Sequence, residues 1–222
     1  MNDFGGFFPW VGVALVTLLP IINPVGTAAL LLSISAHLDE RERNRQVTRA
    51  CIYMTAILLA FLFAGHFIIV VFGISIPGIR IAGGMVIGYL GFRMLFPDSG
   101  PLTEEGKEEA GKKEDISFSP LAMPSLSGPG SIAVVITMSS SIAGWKGIDK
   151  ILGFAGVVLA VIITAIISWL VLRGATALRR YLGANGVNSF SRIMGFLLVC
   201  IGIQFMINGV RDLVLAKNFW HG

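Results

Sequence analysis

A chain of 222 residues that is 55% hydrophobic and 14% charged, with a mean hydropathy of +0.79, is too apolar for a soluble domain and belongs in a bilayer. Its net charge of +4 does not point to nucleic acid, because the basic residues sit at the ends of apolar segments, where the positive-inside rule accounts for them. Cys51 and Cys200 lie within apolar runs and read as small hydrophobes, so no disulfide, metal site or other cofactor is expected.

With about 20 apolar residues needed per crossing, the chain predicts six spans, roughly 8–37, 50–72, 77–96, 118–143, 150–172 and 191–212. Met1 to Gly6 lack a positive n-region and the apolar run from Phe7 is too long for a signal peptide, so the first helix is expected to stay in the mature chain. That first span carries the sequence around which the rest is organised, Leu19 to Ser35, interrupted by Pro20, Asn23, Pro24 and Gly26. Each proline removes an N–H donor and crowds the carbonyl one turn back, so backbone groups between Leu19 and Thr27 are expected to lose their helical partners. In hydrocarbon such groups must be buried in protein or line a polar cavity.

The connection at 38–49 is short and arginine-rich. In the second span, His66 is expected to bond a neighbouring backbone carbonyl. The third span carries Gly83, Gly84, Gly88 and Gly91, which at three- and four-residue spacing read as a close-packing face. The Glu-, Lys-, Gly- and Pro-rich stretch at 97–117 predicts a mobile linker between a first repeat (1–96) and a second (118–222). The fourth span repeats the interruption as Pro124-Ser-Leu-Ser-Gly-Pro-Gly130 followed by Ser131, with Pro124 to Gly130 spaced as Pro20 to Gly26. Gly153 and Gly156 on the fifth span, and Gly195 and Gly202 on the sixth, again read as packing residues. Gln204 and Asn208, one turn apart, are expected to bond across helices.

Arg80-Ile-Ala-Gly-Gly84 in the third span matches Arg192-Ile-Met-Gly-Phe196 in the sixth. Two matches in the same order indicate a duplication, and three spans per half oblige the second copy to enter from the opposite side. The expected fold is therefore an all-α membrane protein of six transmembrane helices in two inverted 3+3 repeats, with the first and fourth helices broken. Of the 17 Lys and Arg residues, twelve fall on the side of the 38–49, 97–117 and 173–192 connections and five on the other, which puts both termini in the periplasm.

Paired breaks in inverted halves predict a solute site near the midplane: half-helix N-termini meet an anionic group, and unwound carbonyls meet a cation or an ammonium. The candidate binding residues are Asn23, Pro24, Gly26, Thr27, Ser125, Ser127, Gly128, Pro129, Gly130 and Ser131, enclosing one small polar cavity, with a gating role open for Arg80 and Arg192. The bland alternative is that the prolines and glycines kink two helices for packing. Every Asp and Glu falls in a connection or near a helix end, which argues against a midplane proton relay, and the absence of H-E-x-x-H or a membrane aspartate pair argues against an enzyme.

The segments Asn23-Pro-Val-Gly26, Pro124 to Gly130, Gly73 to Gly84 and Gly195 to Gly202 closely resemble the MarC family of bacterial inner-membrane proteins. The resemblance covers essentially the whole chain. It implies six helices with both breaks, an inner-membrane location, and kinship with small neutral amino acid transporters of the LysE-type exporter group. The expected function is a secondary transporter exporting or exchanging a small zwitterionic solute; the alternatives are a non-transporting scaffold or stress-response protein, and a passive channel. The expected partners are that solute and the lipid bilayer, not nucleic acid, and a homo-oligomer is left open.

Overall fold

The computed structural model describes residues 7–35, 37–96 and 115–215. Among them every regular element is helical: α1 (Phe7–Ile22), α2 (Pro24–Ile34), α3 (Glu40–Val71), α4 (Ile76–Leu95), α5 (Ser117–Leu126), α6 (Pro129–Ala143), α7 (Gly147–Arg173) and α8 (Ala175–Leu215). The starts follow capping chemistry. The Asp39 carboxylate accepts from the Glu42 amide and opens α3; the Ser75 hydroxyl accepts from the Gly78 amide and opens α4, with Pro77 in its first turn. α8 is interrupted at Gly183, whose φ of 67° a side chain would rarely tolerate.

Four stretches are long and apolar enough to cross a membrane: Phe7–Ile34, Glu40–Val71, Gly147–Arg173 and Asn188–Leu215; the pair α5 and α6, bent by 61°, brings the number to five if it is one crossing. The expectation of six therefore stands at four to five among the described residues. The shortfall is α4, which has the length at 20 residues but whose glycines and two arginines, Arg80 and Arg93, dilute its apolar content.

Helix association here rests on close packing rather than on hydrophobic burial, because lipid tails are as apolar as leucine. One stripe of α3, Val47, Met54, Leu58, Leu62 and Gly65, is buried, as is the stripe Gly156, Ala160, Thr164 and Ser168 of α7. The opposite faces carry exposed Phe63, Phe67, Ile162 and Ile166, the surface a bilayer would cover. α3 and α7 run antiparallel: Phe63 stacks on Phe154, while at the other end the Trp169 indole donates to Thr48 Oγ1 over 3.0 Å; just beyond, Arg43 donates to Thr176 at the start of α8.

The tightest contact joins α4 to α8, also antiparallel. A Cβ built on Gly84 would lie 2.5 Å from the Gly202 carbonyl oxygen, one on Gly202 2.6 Å from the Gly84 oxygen, one on Gly91 2.6 Å from the Gly195 oxygen, and one on Gly209 2.9 Å from the Pro77 oxygen. Glycine is thus required at backbone-to-backbone approach, as the packing reading of these residues expected. Gly83 packs instead against the Ala133 side chain, and Gly153 against the side chains of Trp145 and Ile142, whereas Gly88 has nothing within 4 Å.

Several sequence expectations are corrected. The stretch 97–114 lies outside the described residues, but 115–117, assigned to the linker, is packed: the Ile116 amide donates to Gln46 Oε1 over 3.0 Å, and Ile116 and Ser117 are fully buried. Asp115 accepts from the Ser117 hydroxyl and amide and pairs with Arg49 at 3.3 Å, and these contacts, led by Ser117, hold its carboxyl below the usual range. The stabilisation this adds is present above the unfolded-state pKa and is lost as pH falls through the lowered native value; it is small, since Asp115 is half-exposed. His66 is exposed and makes no hydrogen bond among the described residues. Gln204 donates to Asn208 within α8 rather than across helices.

The glycine contact sets a test. Gly202→Ala should destabilise by about 1–3 kcal/mol, because two backbones must separate, whereas Gly88→Ala should be neutral or slightly stabilising. Thermal unfolding in detergent distinguishes them; equal transition temperatures for both variants would contradict the packing.

Candidate functional site

The first break is confined to one residue. α1 continues through Pro20, and the ladder is carried across by the Asn23 amide donating to the Leu19 oxygen (3.0 Å) and the Thr27 amide donating to the Asn23 oxygen (3.1 Å). Asn23 itself turns left-handed, with φ 46° and ψ 66°, a conformation asparagine tolerates better than most residues. Its side-chain oxygen accepts from the Gly26 amide at 3.1 Å and caps α2, and Pro24, needing no acceptor, takes the first helical position. The cap amide folds so closely over Gly26 that a Cβ there would lie 2.2 Å from Nδ2. The same Nδ2 points at Met94 Sδ, 3.6 Å away, which ties the break to α4.

The second break is far longer. α5 is wound in wide turns with non-helical backbone at Ser119 and Met123 and cis bonds before Pro120 and Pro124. Its carbonyls find partners five residues on: the Leu121 amide donates to the Ile116 oxygen, and the Ser127 amide and hydroxyl both donate to the Ala122 oxygen, at 2.8 and 2.7 Å. Gly128 is extended and α6 begins at Pro129, with no side chain capping it. Ser131 donates back to the Gly128 oxygen at 2.9 Å.

The two breaks meet. Thr27 Oγ1 and Ser125 Oγ lie 2.9 Å apart in a hydrogen bond between residues 98 positions apart. Gly130 is buried, and a Cβ there would touch Ile87 at 3.1 Å and Ile21 at 3.4 Å, so the start of α6 abuts both α4 and the end of α1. Among the described residues the amides of Gly130 and Ser131, both buried, have no acceptor. The two hydroxyls of the Thr27–Ser125 pair hold two protons and spend one on each other, which leaves a donor and several lone pairs. By contrast, Ser127 and Ser131 spend their protons on their own loop. Pro24 and Gly128 are buried and Pro129 is exposed.

The register differs from the spacing match. Asn23 and Gly128 are the caps and Pro24 and Pro129 the first helical residues, so Pro20 has no counterpart break at its own position. Gly26 faces its own cap rather than the other half; Gly130 does face the first half.

Two partly open cavities flank this junction along the helices, and neither is lined by break residues. One, of about 600 Å³, lies where α3 begins and α7 ends, with Arg41, Arg45, Arg49 and Arg173 on its wall; Arg173 stacks over Trp169 at 4.6 Å. The other, of about 300 Å³, lies at the opposite ends of the helices, among Trp10, Thr17, Arg80, Thr137, Ser141 and Arg211. There Arg80 forms an ion pair with Asp212 and donates to Ser141 Oγ at 3.1 Å, binding α4, α6 and α8 together. Arg192 is exposed and joins neither cavity. Sequence reading passed over Thr137, Ser141 and Arg211. The polar run Thr137-Met-Ser-Ser-Ser141 inside an apolar span was the available signal, and Ser139 and Ser140 within it are buried with no partner.

A family model described as MarC family integral membrane protein matches residues 8–214, from the first helix through both breaks to the end of α8. The chain belongs to the MarC family. It is 41% identical over 213 residues to the inner membrane protein MarC of Escherichia coli strain K12 and to that of Shigella flexneri, covering 93% of this chain and 96% of each relative. No solved structure matches it. As a MarC family member with several apolar helices, the chain is the homologue of inner-membrane proteins.

In this MarC family chain the contact between the breaks is testable by a double-mutant cycle. Thr27→Ala and Ser125→Ala should each destabilise, and their coupling should be roughly 0.5–1.5 kcal/mol, the net worth of one hydrogen bond. Additive losses in chemical unfolding would show that the two hydroxyls do not act together.

Proposed function

We propose that this protein is a secondary transporter that exports or exchanges a small zwitterionic solute such as a neutral amino acid. The observation that carries the reading is the Thr27–Ser125 hydrogen bond, which joins two discontinuous helices at the place where two proline-started half-helices begin. The N-terminal amides of α6 at Gly130 and Ser131 offer donors and partial positive charge to a carboxylate, while hydroxyl and carbonyl oxygens of the same junction suit an ammonium.

The inverted repeat belongs to the same proposal. In the α4–α8 contact, Gly84 pairs with Gly202 and Gly91 with Gly195, and the sequence match relates Arg80 to Arg192; both are what a twofold axis in the membrane plane would produce. Both termini are then periplasmic, with the arginine-rich ends of α3 and α7 facing the cytoplasm. The reading as a non-transporting scaffold draws on the local hydrogen bonds of Ser127 and Ser131, which suit a packing kink.

Counterflow of labelled alanine or glycine in proteoliposomes separates these readings, because exchange accelerated by trans solute marks a carrier and not a channel or scaffold. Asn23→Ala removes the α2 cap and should weaken apparent affinity about five- to thirty-fold, equivalent to roughly 1–2 kcal/mol. Gly130→Leu should abolish exchange by driving a side chain against Ile87 and Ile21, which a Cβ alone would already touch. Folded variants that exchange like the parent would make the breaks kinks. Active alkaline phosphatase fused after Gly222 is the expected topology result.

A further inference from the structure

We propose that the 300 Å³ cavity at the Arg80 end of the helices is a second, outer binding subsite for the zwitterion, with Arg211 receiving its carboxylate and the oxygens of Thr17 and Thr137 its ammonium. The inference rests on the transport reading for its purpose, though its binding test does not.

The charge of the cavity is the first argument. Two arginines line it, but Asp212 neutralises only Arg80, whose guanidinium is further committed to Ser141. Arg211, exposed and beside Asp212 in sequence, has no hydrogen bond or ion pair among the described residues. The wall therefore holds one uncompensated guanidinium, whose planar fork matches a carboxylate.

The hydrogen-bond inventory is the second. Thr17 and Thr137 must donate their hydroxyl protons to the carbonyls of Val13 and Ala133, at 2.7 and 2.8 Å, since a carbonyl can only accept. Each hydroxyl oxygen, on a residue that lines the cavity, is left as an acceptor, the partner an ammonium needs. Asn208 accepts from Gln204, so its amide hydrogens remain as further donors for the carboxylate. Donors thus come from α8 and acceptors from α1 and α6, a polarity across the cavity that fits a small molecule charged at both ends. The volume suits a small amino acid with a few waters.

Trp10 lines the cavity and meets Trp145 edge-on at 5.0 Å, so tryptophan fluorescence of the purified full-length protein reports its occupancy. The probes are alanine, propionate, which lacks the ammonium, and alaninamide, which lacks the carboxylate. Alanine should give a saturable change, with propionate and alaninamide at least tenfold weaker. Arg211→Gln should reduce alanine to the level of alaninamide and leave alaninamide itself unchanged, with Arg211→Lys restoring part of the loss. Trp10→Phe should remove the signal. Alanine binding unchanged in Arg211→Gln, alaninamide binding as tightly as alanine, or a signal that survives Trp10→Phe would each overturn the subsite. Counterflow run on the same preparation keeps the two ideas apart. Binding without exchange retains the subsite and sinks the transport reading; exchange with parental affinity in Arg211→Gln does the reverse.

Discussion

Backbone amides and carbonyls have no water to turn to at membrane depth, and the architecture of this protein follows from how that demand is met where its helices break. At the first break a single left-handed residue suffices: Asn23 keeps the ladder running through its own amide and oxygen and uses its side chain to satisfy Gly26. At the second, ten residues of wide turns stand in for a helix, with the Leu121 and Ser127 amides closing on carbonyls five positions earlier. Both solutions are local, which is why the two segments can approach each other through Thr27 and Ser125 without either needing the other to satisfy its backbone. Among the described residues the buried amides of Gly130 and Ser131 at the start of α6 are left without an acceptor.

The scaffold around this junction is built by glycine. α4 and α8 approach so closely that carbonyl oxygens occupy the space where side chains would be, and α4 presents Ile87, Leu90 and Met94 to the breaks from that fixed position. Ile87 and Leu90 lie against Gly130, and Met94 against Asn23. The same closeness brings Arg80 within reach of Asp212 and Ser141, so one ion pair fastens three helices at the mouth of the smaller cavity. A pair so placed contributes chiefly by fixing geometry, since both of its side chains are about a quarter exposed and partly screened.

Polar function is laid along the molecule in three levels. The arginine-lined cavity lies at one end, the hydroxyl junction in the middle and the mixed Arg, Thr and Trp cavity at the other. Under the transport proposal this series is a solute path, and its middle position is held by a single hydrogen bond, whose net worth is about 0.5–1.5 kcal/mol.

Composition and residue pattern alone pointed to an all-helical membrane protein, to interruptions at Pro20 to Gly26 and Pro124 to Gly130 in two of its helices, and to Gly84, Gly91, Gly195 and Gly202 as helix-packing positions, because hydropathy, proline stereochemistry and small-residue spacing act within a few residues of chain. Family membership was legible for the same reason, being carried by contiguous motifs. Only the tertiary structure decided that Pro20 leaves α1 unbroken while Pro120 and Pro124 reshape α5, since a proline's effect depends on whether the carbonyl it displaces finds another partner. It decided which hydroxyls are spent and which are free: Ser125 and Ser127 look alike in sequence, yet one reaches Thr27 and the other folds back on Ala122. It also drew Trp10, Thr17, Arg80, Thr137, Ser141 and Arg211 around one cavity, a meeting of residues far apart in the chain that depends on how four helices pack and that no local pattern encodes.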